Sequence, residues 1–267
     1  MIITDKIFNM NSLRSLIGFC SLLLGTCLQS CSNDTPQQVS APAMVTKDSV
    51  LTKVPDEFID LLFADQSIDQ IDKIASAKTI GNKSVWTDFV GATQLASQHK
   101  NDGAIATFKA IADNKENEPR VRLWAWNGLR ELGVTPPHAE VLGLILEVPQ
   151  QGSTEFLAIY ADNSARYINY TGMVVVWQEQ QQKMDSLIKV SLADARQIVD
   201  KQALTKGRVK SRTGSVRFSF LTTDGLLQAE KEISLLNDPK DPFTRIFAGG
   251  AQMLGIMVNK AQQAGKK

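Results

Sequence analysis

No cysteine occurs after Cys31, the last of three in the chain. A domain built from the residues beyond it has no pair of thiols to join, so packing alone must hold it together. Thiol oxidoreductases, cysteine hydrolases, CxxCH haem attachment and iron–sulfur sites are excluded by the same observation. Net charge is lacking too: removing residues 1–30 takes away two of the 29 basic and one of the 28 acidic residues, leaving the two signs equal. A neutral chain without a Lys/Arg block has no field for a phosphate backbone, so no nucleic acid partner is expected. Only two histidines occur, His99 and His138, and neither stands at a metal-ligand spacing from carboxylates, so no metal and no cofactor is expected. HExxH and GxSxG motifs are missing, and Gly249, Gly250 and Gly255 form neither GxGxxG nor a P-loop. No catalytic residue can therefore be named from the sequence.

What is present begins with an address. Leu13 to Leu28 read LRSLIGFCSLLLGTCL, one arginine followed by an apolar core of about a dozen residues, too short for the roughly 20 that span a bilayer. Residues 1–30 are therefore read as a signal peptide, whose order of basic, apolar and small residues is most compact if it starts at Met10. It closes on Leu28, Gln29, Ser30 and Cys31, which resembles the lipobox of bacterial lipoproteins, with Leu three residues before the cysteine and a small residue just before it. Cys20 follows Phe19 and Cys27 follows Thr26 inside the apolar run, so Cys31 fits better. The resemblance implies a diacylglycerol on the Cys31 sulfur, cleavage before it and acylation of the new amine. Several acyl chains hold firmly where one is marginal, at about 0.8 kcal/mol per buried methylene. Ser32 in place of an Asp after the cysteine implies the outer membrane, facing the periplasm.

Residues 31–54 form the lipidated cysteine and a tether rich in Gln, Ser, Thr, Ala and Pro, able to reach roughly 70 Å if extended at about 3.3 Å per residue. With 43% hydrophobic and 21% charged residues the chain as a whole can bury a core. Residues 55–135 carry a helical period: Ser84 is positioned to cap one helix, Asp102 a second, and Pro119 to open a third that ends at Gly133 before Pro136 and Pro137. Leu123 and Trp126 fall off the apolar stripe of that third helix, which predicts contact with a second layer. Asp65, Asp69 and Asp72 recur at helical spacing and are read as a solvated face.

From residue 138 to 265 the period changes. Val141–Val148, Thr154–Ala161, Ala165–Tyr170 and Met173–Gln178 read as four strands of an antiparallel meander. A helix aligns Met184, Ile188, Leu192, Ala195 and Ile198; further strands follow at Val216–Thr222 and Leu226–Leu236, and Asp241-Pro242 opens a last helix. The expected class is α+β: N-terminal helical hairpins, then an antiparallel sheet with helices packed on one side. Taking Asn163-Ser164 and Thr171-Gly172 as two-residue turns pairs Tyr160 with Tyr167 and Arg166 with Trp177, with Asn169 on the tyrosine face; a bulge at Gly172 would shift the second pairing by one. Tyr160, Arg166, Tyr167, Asn169 and Trp177 are the candidate ligand surface, with Arg166 over Trp177 as a cation–π pair. The competing reading is that these aromatics cover a core, and it carries more weight because no acid or base lies beside them in sequence.

Leu142 to Gln178 resembles an uncharacterised group of bacterial proteins, through Tyr160-Ala161-Asp162, Ala165-Arg166-Tyr167, Asn169, Gly172 and Trp177. The resemblance spans these 37 residues and implies a shared fold without an activity. The sequence thus leads to a lipid-anchored protein of the bacterial cell envelope, a non-enzymatic binding or assembly module for an envelope protein or small ligand. The alternative is an envelope hydrolase whose site the spacing does not reveal.

Overall fold

Pro55 lacks an amide hydrogen and sits with extended backbone just before the first helix, which its carbonyl caps by accepting from the Phe58 amide. A computed structural model describes residues 55–78, 84–150 and 153–264; the expected signal peptide, Cys31 and the expected tether lie outside the described residues. Five helices follow from that point: α1 Asp56–Phe63, α2 Ile68–Lys78, α3 Val85–Ser97, α4 Asn101–Asp113 and α5 Pro119–Glu131. Ser84 opens α3 as expected, its amide donating to Thr87 Oγ1 at 3.4 Å. Asp102 does not cap α4, which starts one residue earlier; it lies in the first turn, where its charge meets the positive end of the helix dipole. The aspartate row is corrected in part: Asp65 and Asp69 are exposed, as a solvated face requires, but the three do not share one helix. Asp65 falls between α1 and α2 and binds Arg208, while Asp72 Oδ1 accepts from Thr93 Oγ1 at 2.6 Å.

Helix α5 is buried on nearly every side, Leu123 included, because it lies between the other helices and the sheet. On its outer side Gly128 lets the Phe108 ring approach so closely that a Cβ there would stand 2.8 Å from a ring carbon. Phe89 continues this packing, 6.1 Å from the Phe108 ring centre.

Among the described residues seven strands form one antiparallel sheet: β1 Val141–Gln150, β2 Ser153–Tyr160, β3 Ala165–Ile168, β4 Val174–Trp177, β5 Thr205–Lys206, β6 Ser215–Thr222 and β7 Gly225–Glu232, in the order β4-β3-β2-β1-β6-β7-β5. Helix α6 Gln182–Lys201 connects the meander to the second group of strands, and α7 Pro242–Ala264 follows a short 3-10 turn. The fold is α+β. Helices α6 and α7 cover one face, where Leu144, Leu146, Phe218 and Phe220 meet Ile188, Leu192, Phe243 and Ile246. The opposite face is covered in part by α1–α5: Leu142, Ile145, Tyr160 and Leu221 share a core with Leu62, Phe108, Trp124 and Leu129. The two halves read from the sequence thus bury apolar surface against each other.

Both meander loops hold three residues, not two. The Tyr160 amide bonds the Ser164 carbonyl around a loop whose last residue, Asn163, has φ of +63°; the Asn169 amide bonds the Met173 carbonyl around a loop ending in Gly172 at φ +88°. Each follows the pattern of a tight turn closed by one left-handed residue. The pairing is therefore Leu157 with Tyr167, Ala158 with Arg166, Ala165 with Trp177 and Arg166 with Val176. An odd shift reverses faces. Tyr160 and Tyr167 do not pair and lie on opposite faces, and Arg166 does not pair with Trp177. The second correction is the one-residue shift that a bulge at Gly172 implied.

Candidate functional site

Alternation along β1 and β6 puts Glu147, Arg217 and Ser219 on the face that α1–α5 cover only in part. Beyond the end of the helical cover, α1 and the sheet enclose a groove of about 500 Å³. Its apolar wall is Phe63 from α1 with Phe156 and Ile168 from the sheet; its floor carries Glu147 and Gln228. Arg208, Val209 and Lys210 close one side, Asn169 and Tyr170 of the β3–β4 loop another.

Glu147 is 8% exposed. Its Oε1 accepts from Ser219 Oγ at 2.8 Å and from Gln228 Nε2 at 3.5 Å; Gln228 Nε2 also donates to Ser219 Oγ at 2.7 Å. Burial pushes the Glu147 carboxyl above its ordinary range, and the Ser219 bond and the nearby Arg217 and Arg208 cations offset only part of that. Arg217 binds Glu230, and also donates to the Lys210 carbonyl at 2.7 Å, which pins the 208–210 segment to the sheet. Glu230 would be raised by burial, but Arg212 and Arg217 hold it below the usual carboxylate range.

Arg208 ties that same segment to α1. Its Nε and Nη2 donate to the two Asp65 oxygens at 2.9 and 2.8 Å, its Nη1 to Asp60 Oδ1 at 2.5 Å, and its guanidinium stands 3.9 Å over the Phe63 ring. A bidentate carboxylate pair of this kind is fixed in geometry as well as strong.

Asn169 is 2% exposed. Its Oδ1 accepts from the Thr171 amide, the Thr171 hydroxyl and the Met173 amide at 3.0, 2.8 and 2.8 Å, which shapes the loop. Its Nδ2 has no hydrogen-bond partner, a costly condition for a buried donor.

Of the five residues proposed as a ligand surface, Asn169 alone lines the groove. All five are buried. Tyr160 donates from its hydroxyl to the Leu62 carbonyl at 2.8 Å, and burial pushes its phenol far above the ordinary value, with Arg120 and Arg166 offsetting little. Tyr167 and Trp177 belong to the core under α6 and α7, where the Trp177 indole donates to the Glu179 carbonyl at 3.0 Å. Arg166 turns to the other face, its Nη2 3.7 Å from Glu118, and burial lowers its pKa with the like charge of Arg120 adding to the effect. No cation–π contact joins it to Trp177; its one link there is Nη1 at 3.5 Å from the Trp177 carbonyl. Glu147 and Gln228 were missed. The available signal was a carboxylate within the apolar run Leu142–Val148, and polar residues alternating with Val216, Phe218 and Phe220.

His99 closes α3 with φ of +58°, and the His138 carbonyl accepts from Thr223 at 3.1 Å. Among the described residues no three His, Cys, Asp or Glu side chains gather as a metal site, and no helix is long and apolar enough to cross a membrane. No protein-family model, curated protein or solved structure matches the chain.

Proposed function

We propose that this protein is a lipid-anchored module of the bacterial cell envelope, held by Cys31 at the outer membrane and facing the periplasm. Its folded part recognises a partner or small ligand and does not transform it. The observation that supports binding over chemistry is the state of the ionisable groups around the groove. Asp60 and Arg208 bind each other, and Arg217 and Glu230 do likewise. Such pairs make a rigid, pre-ordered wall, which favours recognition by lowering the ordering cost of binding. The anchor rests on the signal sequence and the Leu28–Cys31 motif.

The anchor is tested by labelling with palmitate: Cys31→Ser is expected to abolish incorporation and to leave the protein unprocessed or released. Label retained in that variant would overturn Cys31 as the lipidation site and point to Cys27. Binding is tested by crosslinking intact envelopes and recovering the native lipoprotein, with a specific partner or ligand expected in the recovered complex.

A second reading, an envelope hydrolase, draws on Glu147 alone, because a buried carboxyl with a raised pKa is what a general acid requires. Turnover of an envelope substrate by the purified protein, lost in Glu147→Gln, would establish it.

A further inference from the structure

The sheet order ends on β4, so that strand has a neighbour on one side only. The bond from the Asn169 amide to the Met173 carbonyl fixes the parity of the β3–β4 ladder: Tyr167 with Val175 and Ala165 with Trp177 are its hydrogen-bonded pairs. The amides and carbonyls of Val174 and Val176 therefore point away from β3, along an edge with no strand beyond it. Their residues are 50% and 55% exposed. An edge of this kind is ordinarily blunted by a charge, a proline or a very short strand, and the opposite edge follows that rule, since β5 has two residues, one of them Lys206. Strand β4 is Val-Val-Val-Trp, with neither charge nor proline.

What the edge accepts is decided by Arg166. It stands opposite Val176 on β3, so the two side chains share a face. Its Nη1 donates to the Ala165 carbonyl at 3.1 Å and reaches the Trp177 carbonyl at 3.5 Å, which holds the guanidinium over the seam between β3 and β4. Among the described residues its Nε and Nη2 make no hydrogen bond, and neither is shut off from water, 10% of the side chain being exposed. The nearest carboxylate oxygen, Glu118 Oε1, lies 3.7 Å from Nη2 and already accepts from both Nε and Nη2 of Arg120. Asp162 is exposed in the β2–β3 loop, accepts from the Ser164 amide at 3.0 Å and pairs with neither arginine. The open Nε–Nη2 edge of Arg166 is the geometry that receives a carboxylate in two parallel bonds. An added strand would run about 7 Å from the β3–β4 seam, one and a half strand spacings, which a glutamate side chain and a hydrogen bond together cover. A second copy of β4 cannot supply that group, because residues 170–178 contain no carboxylate.

We propose that β4 is a docking edge for an extended acidic segment of a partner protein, which pairs with the outward amides and carbonyls of Val174 and Val176, places a glutamate opposite Val176 on the Nε–Nη2 edge of Arg166, and packs an apolar residue two positions away on Val174. Arg166, Val174 and Val176 do not line the groove, so this is a separate surface. The proposal rests on the reading of the folded part as a binding module and names a partner chemistry for it.

The test is fluorescence anisotropy of the full lipidated chain in detergent with a labelled probe, acetyl-Thr-Val-Thr-Glu-Thr-Val-Thr-amide. Its valines flank the glutamate at two residues on both sides and so serve either strand direction. The probe with Gln in place of Glu is expected to bind at least tenfold more weakly, and Arg166→Gln to abolish that difference. N-methylation of the Glu and Val amides, which face β4, is expected to abolish binding; N-methylation of the Thr amides between them is expected to leave it. Val176→Pro removes only an outward amide, and Val174→Lys puts a charge at an exposed position. Both are expected to keep the fold, checked by circular dichroism, and to weaken the probe tenfold or more. Absence of binding to folded wild-type protein at millimolar probe, equal binding of the Glu and Gln probes, or unchanged binding by both folded edge variants would overturn the proposal. So would a dimer in sedimentation, in place of probe binding, that Val176→Pro abolishes, since it gives the edge to a second copy. A partner recovered from crosslinked envelopes equally with wild type and Val176→Pro would remove this edge and leave the binding module standing. Probe binding as expected, together with turnover of an envelope substrate, would keep the edge and overturn the non-enzymatic reading.

Discussion

Trp177 and Arg166 show how one residue of register changes the meaning of a pair. Trp177 is 4% exposed in the core under α6 and α7, so Trp177→Ala is expected to cost about 3 to 5 kcal/mol. Arg166→Ala removes a guanidinium that meets Glu118 and two carbonyls, for about 1 to 3 kcal/mol, while Glu118 keeps Arg120. The two side chains leave the sheet on opposite faces, so the double mutant should be additive to within about 0.5 kcal/mol. A larger coupling in denaturant unfolding would place them together after all. Glu147 and Glu140 make an opposed pair in pH dependence. Glu147 has a raised folded pKa, so its ionisation weakens the fold as pH rises from its unfolded value of 4.5, and Glu147→Gln should melt higher than wild type at pH 7 with the gain vanishing below about pH 4. For Glu140, burial alone would raise the pKa, but Arg122 and Lys115 hold it below 4.5, and its contribution is lost as pH falls through that depressed value. Glu140→Gln should therefore melt lower than wild type at pH 7, the difference narrowing in acid. Melting curves of both variants from pH 3 to 8 check the two signs at once.

At the scale of elements, α7 approaches the sheet at Gly250, where a Cβ would stand 2.5 Å from Leu146 Cδ1. Gly250→Ala must push α7 outward or displace Leu146, at about 1 to 3 kcal/mol, read from the shift in denaturant midpoint. The 208–210 segment depends on a different kind of contact. Arg208 is its link to α1, and Arg217 and Gln228 are its links to the sheet, the latter through the Val209 amide at 2.8 Å. Arg208→Ala should cost only about 1 kcal/mol globally, since Arg208 is partly exposed. Amide exchange should nonetheless rise across α1 and residues 208–210, because local opening follows the local contacts.

The whole molecule is tied together by the sheet face that α1–α5 share with β1, β2 and β6. Separating residues 55–135 from 138–265 would expose Leu142, Ile145, Ile168 and Leu221 on one side and Leu62, Trp124 and Leu129 on the other. One cooperative transition is therefore expected. In a Trp177→Phe variant the remaining tryptophans, Trp86, Trp124 and Trp126, all lie in helices, so their fluorescence follows the helical layer while far-ultraviolet circular dichroism follows the chain. Coincident thermal curves are the expected outcome, and two separated midpoints would mean that the halves fold independently.

Local chemistry was legible in the sequence wherever neighbours along the chain decide it. Pro55, Ser84, Pro119 and Gly133 mark helix ends because capping and proline's fixed backbone act within a turn, and the period change after Pro137 marks the start of the sheet because alternation is a property of consecutive residues. Asn163 and Gly172 were recognisable as turn residues, but not whether two or three residues belonged to each loop, and that count alone sets which faces Tyr160, Arg166 and Trp177 occupy. The groove was beyond reach for another reason. Asp65 and Arg208 are 143 residues apart, and Glu147 and Gln228 are 81 apart. Nothing in either local pattern announces the other, so only the pairing of β1, β6 and β7 and the docking of α1 against the sheet make one site of them.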